Sequence, residues 1–178
     1  CAYAATGNHA QAKTALERGL LVAGQYDHPL TGTALVELGK IALETGDFPA
    51  AARYLEEATY ACLAFPDPVN LEEAFRLGFL AHLLLNQRAP YPLLAPAIAW
   101  SKSNSYRHLQ ASLSLLAAEN MSLLGEAAQA ADLVAAARLT VGRTDLANSQ
   151  LGARLNHLTA LAAYQAGNVT AGDAAIGS

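Results

Sequence analysis

The chain has 178 residues with 53% hydrophobic, 15% charged and 7% aromatic content, a formal net charge of −4 and a pI near 5.7. That length holds one substantial core or a short stack of repeats. The acidic balance argues against nucleic acid, which wants a clustered basic face. No apolar run reaches the ~18–20 residues of a membrane-spanning helix, and Cys1 and Cys62 are too few for a disulfide framework.

The expected elements are all helical. Alanine makes up roughly a fifth of the chain; it is the best helix former, and its small side chain lets helices approach to about 8–10 Å. No stretch alternates apolar and polar residues for long, so almost no β-sheet is expected. In chain order, Gly7-Asn8-His9 leads into a helix carrying Ala12, Leu16 and Gly19. A polar linker, Gly24–Pro29, separates it from Thr33–Thr45, where Leu35, Leu38 and Ala42 share a face. Thr45-Gly46-Asp47 stops that helix, because glycine takes the left-handed conformation that ends helices. Asp47 is the expected N-cap of the next one, with Pro49 just inside its start. That helix carries Ala51, Leu55, Ala58 and Cys62, the last read as a small core hydrophobe, and Phe65-Pro66-Asp67-Pro68 breaks it.

The same plan recurs. Ala74, Leu77, Gly78 and Ala81 lead to a turn at Leu85-Asn86-Gln87, and a second helix begins after Pro90 or Pro92 with Leu94, Ala97 and Trp100. After the linker Ser101–Ser105, a helix from about Tyr106 runs through Leu113, Leu116, Ala117 and Met121 to Gly125, followed by one with Ala130, Val134 and Ala137. Beyond the linker Gly142–Asp145, Leu155, Leu158 and Ala162 precede Gly167-Asn168-Val169. Gly7, Gly46, Leu85, Gly125 and Gly167 thus stand 39, 39, 40 and 42 residues apart. A period of about 40 marks stacked helical hairpins. The expected organisation is one continuous domain over 1–178, with repeats near 1–27, 28–68, 69–104, 105–143 and 144–178, the first and last partial, as in a piece of a longer array.

No catalytic constellation appears. The phosphate-binding Gly-x-x-x-x-Gly-Lys-Ser/Thr and the metal-binding His-Glu-x-x-His are absent, and His9, His28, His82, His108 and His157 are dispersed. Glu56-Glu57 and Glu72-Glu73 are adjacent carboxylates, which point apart on a helix and read as solvated faces. Asn120-Met121-Ser122 and Asn168-Val169-Thr170 match glycosylation acceptors and are read as chance matches. The expectation is a non-enzyme without metal or cofactor.

The segment Thr33–Thr59 resembles a tetratricopeptide repeat. Leu35, Leu38-Gly39, Ala42, Gly46-Asp47-Phe48, Ala51, Leu55 and Ala58 fill the family's pattern. The third unit repeats Leu77-Gly78, Ala81, Asn86, Leu94 and Ala97; the fourth has Gly125, Ala130 and Ala137; the fifth has Gly167-Asn168-Val169, with Gly172 where Ala belongs. The common repeat is 34 residues long. The longer spacing, with Asp27-His28-Pro29 between units, is similar to the kinesin-light-chain type and to helical arrays of large bacterial transcription activators and signalling ATPases.

The resemblance implies an all-α fold, an α-α superhelix: a right-handed solenoid of about four to five antiparallel hairpins, whose first helices line an inner groove. It places Val36, Lys40, Leu43 and Glu44 in that groove, then Glu72, Phe75, Phe79 and His82, then Leu115, Glu119 and Ser122, then Arg154, His157, Leu161 and Tyr164. Phe75 and Phe79, one turn apart, are either an apolar shelf in the groove or ordinary inter-repeat core. The Lys/Asn clamp by which some members hold a C-terminal carboxylate is not apparent; Lys40 and Arg154 stand too far apart in the array. The implied function is a protein-interaction scaffold that buries a peptide or helix in the groove. The alternatives are a regulatory segment of a multidomain bacterial signalling protein and a module that self-associates through exposed array ends. The implied partner is a protein or peptide, not nucleic acid or membrane, and the implied location is cytoplasmic.

Overall fold

The structure is a computed structural model and describes residues 7–24, 28–141 and 150–177. Cys1, Asp27 and the Gly142–Asp145 linker lie outside the described residues. Every regular element among the described residues is an α-helix. The chain divides after Gln87 into two compact units.

The first unit contains α1 (His9–Gly24), α2 (Thr31–Glu44), α3 (Phe48–Ala64) and α4 (Pro68–Leu84). Each helix packs on the next, and α2 also packs on α4. The ends are written in the sequence. Gly46 adopts φ +78°, its N–H bonds the Leu43 carbonyl, and the Asp47 N–H bonds that of Ala42. This is the Schellman arrangement, which satisfies carbonyls a helix end leaves open. Asp47 then caps α3, its Oδ1 accepting the Ala50 N–H at 3.2 Å, with Pro49 in the first turn. Asp67 caps α4 in the same way, accepting from Asn70 at 3.1 Å with Pro68 behind it.

The second unit contains α5 (Leu94–Ser103), α6 (Arg107–Leu123), α7 (Ala127–Val141), α8 (Gln150–Gln165) and α9 (Val169–Ile176). Again consecutive helices pack together, and α6 packs on α8. Gly125 and Gly167 take the left-handed turn, at φ +83° and +76°, and Asn168 caps α9.

At the end of α4 the structure corrects the beat. The left-handed residue there is Asn86, at φ +53°, not Leu85. Its N–H bonds Leu83 and that of Gln87 bonds His82, repeating the bonding at Gly46. Asparagine is the residue that most readily replaces glycine in this conformation. The core positions keep a 39-residue spacing, with Leu38 and Leu77, Gly39 and Gly78, and Ala42 and Ala81 all buried. The last turn of α4 therefore holds one extra residue.

Glycines let large side chains interlock within the α2–α3 hairpin. A Cβ on Gly39 would lie 2.5 Å from Leu55 Cγ, and one on Gly32 would lie 2.6 Å from Cys62 Sγ. Leu55 and Cys62 are fully buried as a result. Burial, with Asp67 adding its charge, pushes the Cys62 thiol up to about 12. The folded protein should therefore keep Cys62 protonated at pH 8 and unreactive toward iodoacetamide, with labelling appearing on unfolding. Peptide mass mapping checks this, and prompt labelling of Cys62 in native buffer would contradict it.

In the second unit one cluster joins α6, α7 and α8 through Leu115, Val134, Ala137, Val141, Leu151, Leu155 and Leu158. Its last hairpin reverses the interlock. The glycine is on α9 and the large residue on α8: a Cβ on Gly172 would strike the Tyr164 ring at 2.4 Å.

Candidate interaction face

The helices that precede the left-handed turns at Gly46, Asn86, Gly125 and Gly167 are α2, α4, α6 and α8. In each unit two of them lie side by side, and they present the face on which the groove is expected. On α2, Lys40 and Glu37 point outward, half-buried, with Lys40 Nζ 2.9 Å from Glu37 Oε1. Across the seam, Lys40 Nζ lies 3.5 Å from Glu73 Oε1 on α4, and the same oxygen accepts from Arg76 Nη2 at 2.9 Å. Asn70 Nδ2 donates to Thr33 Oγ1 at 3.1 Å along the same seam. Burial opposes the Lys40 charge, but Glu37 and Glu73 outweigh it and hold the ammonium pKa above its ordinary value. Glu44 is exposed, its Oε2 3.3 Å from His9 Nδ1 on α1.

Helix α4 is buried around most of its circumference and opens along one stripe: Val69, Glu73, Arg76, Leu80 and Leu83, with Leu84 beside it. The spacing of three and four residues keeps these side chains on one face. Leu80, Leu83 and Leu84 are 42%, 40% and 48% exposed. An apolar row thus continues from the charged ladder.

Phe75 and Phe79 are not on that stripe. They are 0% and 4% exposed, so of the two readings left open by the sequence the rings are core, and the apolar side chains open on α4 are the leucines. The reason is angular: successive residues on a helix stand about 100° apart, so the residue after each phenylalanine faces outward while the ring faces in. Val36 and Leu115, given to the groove by the same register, are also fully buried. Glu72 is half-buried on the flank of α4. His82 is half-buried too; burial presses its pKa below the ordinary histidine value, against the opposing pull of Glu56 on α3 and a hydrogen bond with Gln87.

In the second unit the expected residues Glu119 and Arg154 meet: Arg154 Nη2 donates to Glu119 Oε2 at 2.7 Å, joining α6 to α8. His157 is exposed and Leu161 half-buried on α8, while Ser122 is buried. Tyr164 helps close the last hairpin and is 38% exposed. Its hydroxyl donates to Asp173 Oδ1 at 2.7 Å and its ring lies over Gly172. That hydrogen bond, ahead of desolvation, holds the phenol pKa above its usual value.

Arg76, Leu80 and Leu83 lie exposed on this stripe and were not singled out from the sequence. The available signal was the polar pair Glu73 and Arg76, which marks the solvent stripe of a helix otherwise apolar on most sides. Among the described residues no group of three or more His, Cys, Asp or Glu is placed to hold a metal ion, and no helix is long and apolar enough to cross a membrane.

Helical hairpins with left-handed turns at a spacing near 40 residues, and first helices paired side by side, define a helical-repeat protein of the α-α solenoid class. The family model described as tetratricopeptide repeat matches residues 2–61, so that part of the chain is similar to this family. Repeats of this family generally mediate protein–protein interaction. The comparisons with curated proteins and with solved structures return no match.

Proposed function

We propose that the chain is a non-catalytic interaction scaffold that takes up a peptide or helix along the α2–α4 face. The observation that supports this best is the α4 stripe, where Arg76 is followed by the partly exposed Leu80 and Leu83, next to Lys40 and Glu73. Exposed leucines at helical spacing accept apolar side chains, and the ladder beside them offers both charges for orientation. A fitting partner carries a carboxylate near Arg76 and apolar residues one and two turns beyond. Binding then releases water from the leucines and forms charge-assisted hydrogen bonds at the rim, with no bond chemistry.

Peptides selected from a random library against the folded chain test this. Arg76→Ala and Leu80→Ala are each expected to weaken a selected peptide about tenfold, or ~1.4 kcal/mol, with the melting temperature nearly unchanged. Selected peptides that bind both variants as tightly as the original chain would overturn the proposal.

A further inference from the structure

Helices α3, α7 and α9 each begin two residues after a left-handed glycine, at Phe48, Ala127 and Val169. Helix α5 does not. It begins at Leu94, eight residues after Asn86, and residues 88–93 run irregularly in the place of a helical first turn. Pro90 and Pro92 contribute no N–H, and Leu93 takes a left-handed φ of +59°. Most of this segment is exposed, but Tyr91 is 6% exposed and sits as an anchor in its middle.

Its backbone is held by Asn120 of α6. The Tyr91 N–H donates to Asn120 Oδ1 at 3.0 Å, and Asn120 Nδ2 donates to the Ala89 carbonyl at 3.4 Å. Asn120 is only 5% exposed, and at the matching place in α2 stands Ile41, a core residue. A buried carboxamide in an apolar position is costly unless both its donor and its acceptor are used. Here both are used on the irregular segment, at Ala89 and Tyr91. The same contacts bury Asn120 of the Asn-x-Ser match, so it is not presented as an acceptor.

We infer that Asn120 is a latch that seats residues 88–93 as a strap on the second unit, and that the strap opens without unfolding the helices when the latch is lost. Amide exchange by NMR reads the latch at the Tyr91 N–H. In the wild-type chain this amide is expected to exchange at least ~10-fold more slowly than an unstructured one. In Asn120→Leu and Asn120→Ala it should speed up ~10-fold or more, while amides in the middle of α8 keep their protection. Tryptic cleavage after Arg88 should accelerate in parallel. Wild-type protection of Tyr91 persisting in either folded variant would overturn the inference. Should neither variant fold, the wild-type rate alone decides: protection supports the latch, and exchange at the unstructured rate overturns it.

Discussion

Phe75→Ala and Phe79→Ala should each lower the unfolding free energy by about 3–5 kcal/mol, whereas Leu80→Ala should change it by no more than about 1 kcal/mol. Phe75 is fully buried and Phe79 nearly so, while Leu80 is 42% exposed one residue further along the same helix. Truncating a buried ring forfeits its transfer free energy and leaves a cavity that the surrounding helices fill only in part. A leucine already half in water loses little of either. Against a total stability of about 5–15 kcal/mol, the phenylalanine variants would be severely weakened. Urea unfolding followed by far-UV circular dichroism measures the difference. A Phe79→Ala chain as stable as the original would return these rings to the open face and remove the reason for assigning the face to Arg76, Leu80 and Leu83.

The second large effect lies at Gly39 and Leu55. Leu55→Ala should cost about 2–5 kcal/mol, because the side chain is fully buried where it crosses the glycine. Gly39→Ala alone should also destabilise. A methyl there meets Leu55 Cγ at 2.5 Å and Cδ2 at 2.6 Å, and overpacking of about 1–3 kcal/mol exceeds the ~1 kcal/mol of helix propensity gained. In the double variant the new methyl enters the space the leucine vacated. The double variant should therefore be more stable than Leu55→Ala alone. A double-mutant cycle in denaturant checks this, and simple additivity of the two losses would show that the residues do not interlock.

The fold was legible where one residue type had little competition for its place. Gly46 followed by Asp47, with Pro49 behind, states a helix end and a helix start in four positions, and both form as expected. The turn after α4 was misplaced by one residue because asparagine can replace glycine, and Asn86 beside Leu85 left the choice to spacing alone. The open face was harder. A helix such as α4, apolar around most of its surface, has no period that separates core from groove, so Phe75 and Phe79 stayed open between the two until packing placed them in the core. Tyr164 and Gly172 illustrate the same limit. A tyrosine on one helix and a glycine on the next are legible only as separate oddities until the hairpin closes and the ring covers the glycine. Asn120 stood in the sequence only as part of a chance Asn-x-Ser match, since nothing in its own neighbourhood shows that a distant proline-bounded segment will need its carboxamide.

The most direct test of the interaction face is a thiol footprint at Leu80→Cys. With a library-selected peptide absent, the introduced thiol should be alkylated quickly in the folded chain, since position 80 is open while Cys62 is buried. With saturating peptide the account predicts that alkylation at position 80 slows at least about tenfold, the mark of a site covered by its ligand. A peptide that binds at saturation while position 80 reacts at its original rate would contradict the account and place the binding surface elsewhere on the chain.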